Sequence, residues 1–451
     1  MASIDGLISG LNTTTIISQL MAIERLPEAQ LTKAQTASRT MVSTLQSLNT
    51  LITSMATAAK AFAPDSITTQ SAWTSTTATS SNSALASVLT GPDALPGSAT
   101  FTVTGVATAG AAVSTGIVSS LTTPVASGPF QLTKGGTTST ITVAAGATLT
   151  DVVRALNAPG TGVSATAVQV ADGAYRLQIT STTTGSASDI TLSSGAFPAG
   201  QSSLGDMQQL SAGTDTVLRV GTGAGAFDVT SSTTSVSGLL PGVTITALKA
   251  DPSTSVTVNV ASDTSGMADK MATMVSQANA VLSYITTQSS YDATAKIGGP
   301  LVGDSMGRDL TSRITDAVIG SSSSTPAMSG VSVARDGSIT FDRAAFLAAY
   351  AKDPAALTAT MTSMSQQLSD VATQASDPHT GYVTARATGE QDSIRGYTKQ
   401  IAAFEDRMTL RQQTLQTQYA ALETMLGKLK SQSDWLTGQL ASLPTYSSNS
   451  K

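Results

Sequence analysis

Cysteine is absent from the 451 residues, and histidine occurs once, as His379. The first absence excludes disulfides, thiolate metal sites and cysteine nucleophiles, and the second excludes a histidine-rich metal centre. No metal, cofactor or catalytic residue is assigned. Aromatic residues are scarce at 4%, so any core must rest on Val, Ile, Leu, Met and Ala, which the 40% apolar content supplies. Charged residues make up 12%, where about a quarter is usual. Thr and Ser supply the missing polarity, and they favour strands and turns. The net charge is −5 with no basic cluster, so the electrostatic footprint of nucleic-acid binding is missing. No apolar run approaches the ~20 residues needed to cross a bilayer, and membrane insertion is not expected. The opening MASIDGLISGLNTTT has neither a basic n-region nor a continuous apolar stretch, so it does not read as a cleaved signal peptide.

What is present is periodicity at both ends. Spacings of three and four run through Leu31, Ala34, Ser38, Met41, Leu45, Leu48, Ile52, Met55, Ala59 and Phe62, with Ser38 the single polar break. That is a coiled-coil seam. Pro27 suits the first turn of this helix and biases Leu26 away from helix, which predicts a hinge against a shorter helix near Thr13 to Arg25. Asn12 or Thr13 is placed to cap that shorter helix. The far end repeats the rhythm through Ile394, Tyr397, Ile401, Phe404, Met408, Arg411, Leu415, Gln418, Leu422, Met425, Leu429, Gln432 and Leu436, continued by Leu440 and Leu443. A helix from about Gly389 to Leu443 would be ~80 Å long at 1.5 Å per residue. Each stripe needs a partner, and the economical solution is that the first and last helices pack on each other.

Between them the chain turns β-rich. FTVTGV (Phe101 to Val106), FQLTK (Phe130 to Lys134), STITVAAG (Ser139 to Gly146), VLRVG (Val217 to Gly221), VTITALKA (Val243 to Ala250) and SVTVNV (Ser255 to Val260) read as half-buried strands. Asp172-Gly173 between two such runs signals a hairpin. Leu149, Val152, Val153 and Leu156 form one face of a short helix started by Thr148 and Asp151. From Thr264 the pattern is helical again through Met267, Met271, Met274, Ala278, Val281 and Ile285. Further helices are expected near Leu301 to Ile319, Arg343 to Ala351 and Pro354 to Ala375, with loops at Ser321 to Ser324 and at Asp377 to Gly381. The chain goes out and returns, so its helical domains are discontinuous in sequence.

Two motifs resemble chemical sites and fail on context. Gly303-Asp304-Ser305-Met306-Gly307 matches a nucleophile elbow, but no buried strand precedes it and His379 is the sole candidate base. A helix cap at Asp304 or Ser305 accounts for it. Gly221-Thr222-Gly223-Ala224-Gly225-Ala226 resembles a dinucleotide fingerprint, yet Phe227-Asp228-Val229-Thr230 after it reads as strand, not as the helix that would face a pyrophosphate. The carboxylates Asp336 with Asp342, and Glu405 with Asp406, lie in no pocket pattern. The apolar residues at the extreme ends, Ile4, Leu7, Ile8 and Leu11 with Leu436, Leu440 and Leu443, lack evident partners within the chain and are candidates for binding another protein.

Several stretches together resemble the flagellar filament cap family (hook-associated protein 2, FliD). The opening Ile4 to Leu31 is similar in its Gly-Leu-x-Ser-Gly-Leu start and its later Glu-x-x-Pro. Thr161 to Gly185 is similar to the small repeat shared by hook-associated proteins, and LLPGVTITAL (Leu239 to Leu248) to the strand leading out of the family's head. MVSQANAVL (Met274 to Leu282), GPLVGDSMGRDL (Gly299 to Leu310) and SGVSVARDGSITFDRAAFLAAYAKDP (Ser329 to Pro354) follow in the family's order, and the coiled coil from Ile394 completes it. Asn12 stands where the family usually has Asp, and Ala278 where an aromatic is common.

The resemblance implies a multi-domain α+β fold: a terminal coiled-coil helical stalk, a discontinuous helical domain and a β-rich two-part head. The expected division is a terminal leg (1–40 and 400–451), a helical stalk domain (41–72 and 264–399), a β-rich head domain (73–127 and 193–263) and an inserted head domain carrying the repeat (128–192). It further implies no enzyme activity. The implied role is a homo-oligomeric plate, a pentamer, at the distal tip of the extracellular filament. There it retains exported flagellin and promotes its folding and polymerisation. The implied partners are other copies of the chain, flagellin, the flagellar type III export apparatus and an export chaperone. The alternatives are another axial component, such as a hook–filament junction protein, and a secreted adhesin.

Overall fold

The computed structural model describes residues 10, 12–63, 71–126, 128–192, 204–320 and 330–442. The chain forms two compact units, a helical one built from both ends (Met1–Ser66 with Ala268–Lys451) and an intervening one (Ile67–Met267).

In the helical unit, α1 (Thr13–Glu24) and α2 (Leu26–Lys60) come from the N-terminal end. α4 (Thr264–Gln288), α5 (Ser305–Ile319), α6 (Arg343–Lys352), α7 (Pro354–Ser376) and the long α8 (Tyr382–Ala441) come from the C-terminal end, and α3 (Leu149–Leu156) belongs to the other unit. Their starts are legible chemically. Side-chain carboxylates of Asp304, Asp342 and Asp353 accept the first free amides of α5, α6 and α7, at 2.8, 3.0 and 3.0 Å, which satisfies donors that a helix start leaves unpaired. Pro354 then occupies the first turn of α7, where its missing N–H costs nothing. The core is aliphatic and methionine-rich: Leu45, Leu48, Ile52, Met55 and Ala59 of α2, with Met271, Met274, Ala278 and Val281 of α4, are fully buried. α2 packs on α7 and α8, and the Tyr284 hydroxyl donates to the Thr44 carbonyl at 3.3 Å, tying α4 to α2. Two small antiparallel pairs complete the unit, Tyr291–Asp292 with Ile297–Gly298 and Val331–Val333 with Ile339–Phe341.

The β-rich unit has two cores. In chain order its strands are β1 (Thr76–Ser80), β2 (Ala86–Thr90), β3 (Gly97–Gly105), β4 (Ala111–Ser114), β5 (Pro124–Ala126), β6 (Phe130–Lys134), β7 (Thr137–Ile141) and β8 (Ala147–Thr148). After α3 (Leu149–Leu156) follow β9 (Val163–Ala171), β10 (Ala174–Ser181), β11 (Ile190–Leu192), β12 (Met207–Ser211), β13 (Thr216–Val220), β14 (Phe227–Ser231), β15 (Ser235–Val236), β16 (Val243–Ala247) and β17 (Asp251–Ser262). One core lies between the sheets β1-β17-β3-β13-β14 and β15-β16-β2 around Phe101, Val103, Leu218, Ile245, Val256 and Val258. The other gathers β12-β4-β10-β9, β11-β6-β7 and α3 around Phe130, Leu132, Leu149, Leu156, Leu177 and Ile179. The strands of this second core run from Ala111 to Ser211, wider than the 128–192 drawn from the sequence, because β4 and β12 hydrogen-bond into the sheet of β10.

Turn chemistry fixes the registers of two hairpins. Gly135 and Gly136 both sit at positive φ (52° and 79°) between β6 and β7, the geometry of a two-residue turn whose twist matches its strands. At Asp172-Gly173 only the glycine is left-handed (φ 64°), and the ladder slips between Ala174 and Tyr175. The expected hairpin therefore closes with a bulge.

Candidate assembly surface of the helical unit

α1 and α2 run antiparallel to α8. The Gln35 amide donates to Thr398 Oγ1 at 2.7 Å, and further toward the N-terminus Glu24 accepts from Arg411 Nε at 3.1 Å. Arg411, a polar interruption of the stripe, is thus a register contact. Both side chains are part-exposed (47% and 29%), so its direct energetic worth is at most ~1 kcal/mol. Beyond it, Ile17 and Met21 of α1 are buried against Leu415, with Met408 and Tyr419 packed alongside. Along α2, Ser38 is buried like its apolar neighbours, while Leu31 and Met41 are half-buried and Phe62 is buried. On α8, Phe404 and Leu415 are buried, and Ile394, Ile401 and Met408 are half-buried.

Past Leu415 the expected stripe and the buried line separate. The three-four spacing places Leu422, Met425 and Leu429 in the seam, and they are instead exposed by 47, 67 and 55%. Burial moves to Tyr419, Glu423 and Leu426. The physical reason is helical drift: a straight α-helix rotates ~20° per heptad against a strict 3.5-residue repeat, so a fixed three-four stripe turns away from its neighbour. The same register carries α8 past Thr13, where α1 begins. Leu436 and Leu440, also exposed at 54 and 62%, continue the bare stripe. Ile4, Leu7, Ile8, Leu11 and Leu443, the remaining candidates for contact with another protein, lie outside the described residues.

The junction of α1 and α2 is one residue, Arg25, with φ −84° and ψ −5°. Its N–H reaches back to the Met21 carbonyl at 3.0 Å, and its carbonyl accepts from Glu28 N–H at 3.0 Å. Pro27 sits in the first turn of α2, but Leu26 is already helical. The bias against helix before proline is overridden, and the break falls one residue earlier than expected. Asn12, not Thr13, caps α1, accepting Thr15 N–H at 2.9 Å.

The motifs that resemble chemical sites have structural roles. Ser305 opens α5 behind the Asp304 cap, with a turn and not a strand before it. Gly221 to Ala226 connects the antiparallel strands β13 and β14. His379 lies in a turn whose amides of His379 and Thr380 donate to Asp377 Oδ1 at 2.8 and 2.7 Å. Among the described residues no helix is long and apolar enough to cross a membrane. Sequence reasoning missed Glu24, whose role appears only once the antiparallel register is known. It also missed Asn279, a polar residue inside a helix whose side chain grips the backbone of Ile339 on another element.

A helical unit made from both chain ends, with a bare apolar stripe on its longest helix and a separate β-rich unit, defines a structural assembly protein. Comparisons with known proteins give the particular family. The family description "Flagellar hook-associated protein 2 C-terminus" matches residues 213–431, its N-terminal counterpart matches 9–110, and "Flagellin hook IN motif" matches 130–183. The chain belongs to the flagellar hook-associated protein 2 family, which is structural. It is 28% identical to the A-type flagellar hook-associated protein 2 of Pseudomonas aeruginosa over 98% of each chain, and 26% identical to that of Escherichia coli K12 over 100% of each. Its fold is similar to the D1-D2-D3 domains of the Escherichia coli flagellar cap protein FliD. There the TM-score is 0.59 at 23% identity, covering 77% of this chain and 99% of that one.

Proposed function

We propose that several copies of this chain cap the bacterial flagellar filament, forming a plate at its distal, extracellular tip that retains exported flagellin while it folds and polymerises. The carrying observation, in a member of this family, is that α8 outruns α1 and leaves Leu422, Met425, Leu429, Leu436 and Leu440 exposed on one long helix. Apolar surface of that extent marks association. Its partner in this reading is the filament, with Ile4, Leu7, Ile8, Leu11 and Leu443 extending the contact. The other partners are copies of the chain, flagellin, the type III export apparatus and an export chaperone.

A cap must grip and release repeatedly, and the unit has a stability gradient suited to that. The α1 end is held by the small cluster of Ile17, Met21 and Leu415, whereas the far half of α2 buries Leu45, Leu48, Ile52, Met55 and Ala59 completely. Segments with few buried contacts open first. The one-residue joint beside Pro27 lets α1 open without disturbing α2. Electron microscopy of the purified protein added to filament tips tests the assignment, with bound end-structures expected. Deleting Met1 to Leu11, or replacing Leu436, Leu440 and Leu443 with Ser, should abolish filament retention while the β-rich unit still folds. Normal filament growth with both variants would refute the leg assignment.

A further inference from the structure

Every sheet in the β-rich unit ends in two edge strands, and most of those edges are covered. β1 lies against β2, β14 against β15, β11 against β12, and β5 and β8 against α3. Among the described residues the edges of β7 and β9 show no comparable packing against a further strand, although α3 also lies against β9, and both belong to the core that contains α3.

The direction of their open groups follows from the register. The side chain of Asn157 grips Ala165 from outside the sheet, donating Nδ2–H to its carbonyl and accepting its N–H, both at 2.8 Å. Ala165 therefore turns its backbone away from β10, and by strand alternation so do Ala167 and Gln169. On β7, the two-residue turn makes Lys134 and Thr137 a hydrogen-bonded pair. Thr138 and Thr140 consequently turn theirs outward. Thr137 to Thr140 are exposed, as are Gln169, Val170 and Ala171. Neither strand contains a charged residue or a proline. Soluble proteins ordinarily guard an open edge with such residues, with a bulge or with a covering element. On β9, Asn157 and α3 guard the start and the bulge at Val170 guards the end, which leaves the outward groups of Ala167 and Gln169 open; β7 has none of these guards among the described residues.

We propose that the β9 edge of one copy pairs with the β7 edge of a second copy of this chain. Each copy then offers one edge and receives the other. Such a head-to-tail contact generates a ring where the rotation closes, and it satisfies both rows of open amides and carbonyls without bringing charge together. A β9-to-β9 contact would leave β7 bare. The proposal deepens the assembly reading above and rests on it for the expectation that copies associate.

Proline distinguishes the outward from the inward donors. Gln169→Pro and Thr140→Pro each delete an N–H that points away from its own sheet, so each module should fold; Val168→Pro, whose N–H faces β10, should not. Sedimentation of the full-length chain is the measurement. Either outward variant alone should weaken self-association roughly tenfold or more, as expected for losing one or two net hydrogen bonds per contact. An equimolar mixture of the two should give 1:1 dimers, because one intact β9 edge still meets one intact β7 edge. If an outward proline unfolds its module, Val170→Lys with Thr140→Lys places like charges on both exposed edges and should block association, and Val170→Lys with Thr140→Glu should restore it. Unchanged association in folded variants, dependence on β9 alone, or no recovery in the mixture would overturn the pairing. Filament-tip binding is read separately, so failure here leaves the cap reading standing.

Discussion

Two asparagines act at the residue scale in a way that the hydrophobic pattern does not reveal. Asn279, inside α4, donates to the Ile339 carbonyl at 2.6 Å and accepts its N–H at 2.8 Å. Asn157 does the same for Ala165. In each case a carboxamide stands in for a missing neighbouring strand, using its one donor face and one acceptor face together. Ile339 is buried at 3% exposure, so Asn279→Ala strands two backbone groups and should cost ~1–3 kcal/mol in urea denaturation. Acid sensitivity also belongs at this scale. The carboxylate of Asp251 accepts the hydroxyls of Ser253 and Thr254 and the Ser253 N–H, holding its pKa down at about 2 from 3.8. The folded pKa is the lower one, so its contribution is complete above 3.8 and is lost as pH falls toward 2. Asp151 and Asp215 are lowered in the same direction by the hydroxyl and amide of Thr148 and by the amide and hydroxyl of Ser186. The melting temperature of the β-rich unit should drop through that window, and Asp251→Asn should flatten part of the fall.

At the scale of elements, α8 contains two kinds of apolar position that look alike in sequence. Leu415 is buried against α1, whereas Leu422, seven residues on, is 47% exposed. Leu415→Ala should destabilise the pairing of α1 with α8 by ~2 kcal/mol or more, as for other buried leucines. The readout is faster hydrogen exchange in α1 at Ile17 and Met21. Replacing Leu422, Met425 and Leu429 with Ser should leave that exchange unchanged and reduce binding to filament tips. The opposite pattern would mean that the buried line follows the three-four stripe after all. The polar contacts mark the register without carrying its stability. Glu24→Ala should change stability by no more than ~1 kcal/mol, since its pair with Arg411 is solvent-exposed.

At the scale of the molecule, the chain leaves through α1 and α2, builds two β cores, and returns through α4 to α8. The helical unit therefore cannot be completed until the last helix is available. A chain truncated before Tyr382 lacks α8, which packs on both α1 and α2. It should show a cooperatively melting β-rich unit while α1 loses its protection from exchange. Calorimetry with hydrogen exchange checks this, and full protection of α1 in the truncated chain would count against the antiparallel arrangement.

Much of this architecture is legible in the residues themselves. The strands FTVTGV, FQLTK and SVTVNV alternate because one face is buried, and that period is local. The methionine stripe of α4 and the caps at Asp304, Asp342 and Asp353 are local too. Family resemblance carries the role, since no single residue in the sequence announces it. What the sequence by itself determined was which segments become helix or strand and which faces must be covered, because those depend on spacing and on backbone donors within a few residues. Tertiary structure alone decided what covers each face: that Arg411 meets Glu24, that the buried line leaves Leu422 for Tyr419 and Glu423, and that β7 and the middle of β9 stand at sheet edges. Those outcomes depend on the angle and register at which distant segments meet, and a stripe of leucines specifies only that some partner is needed.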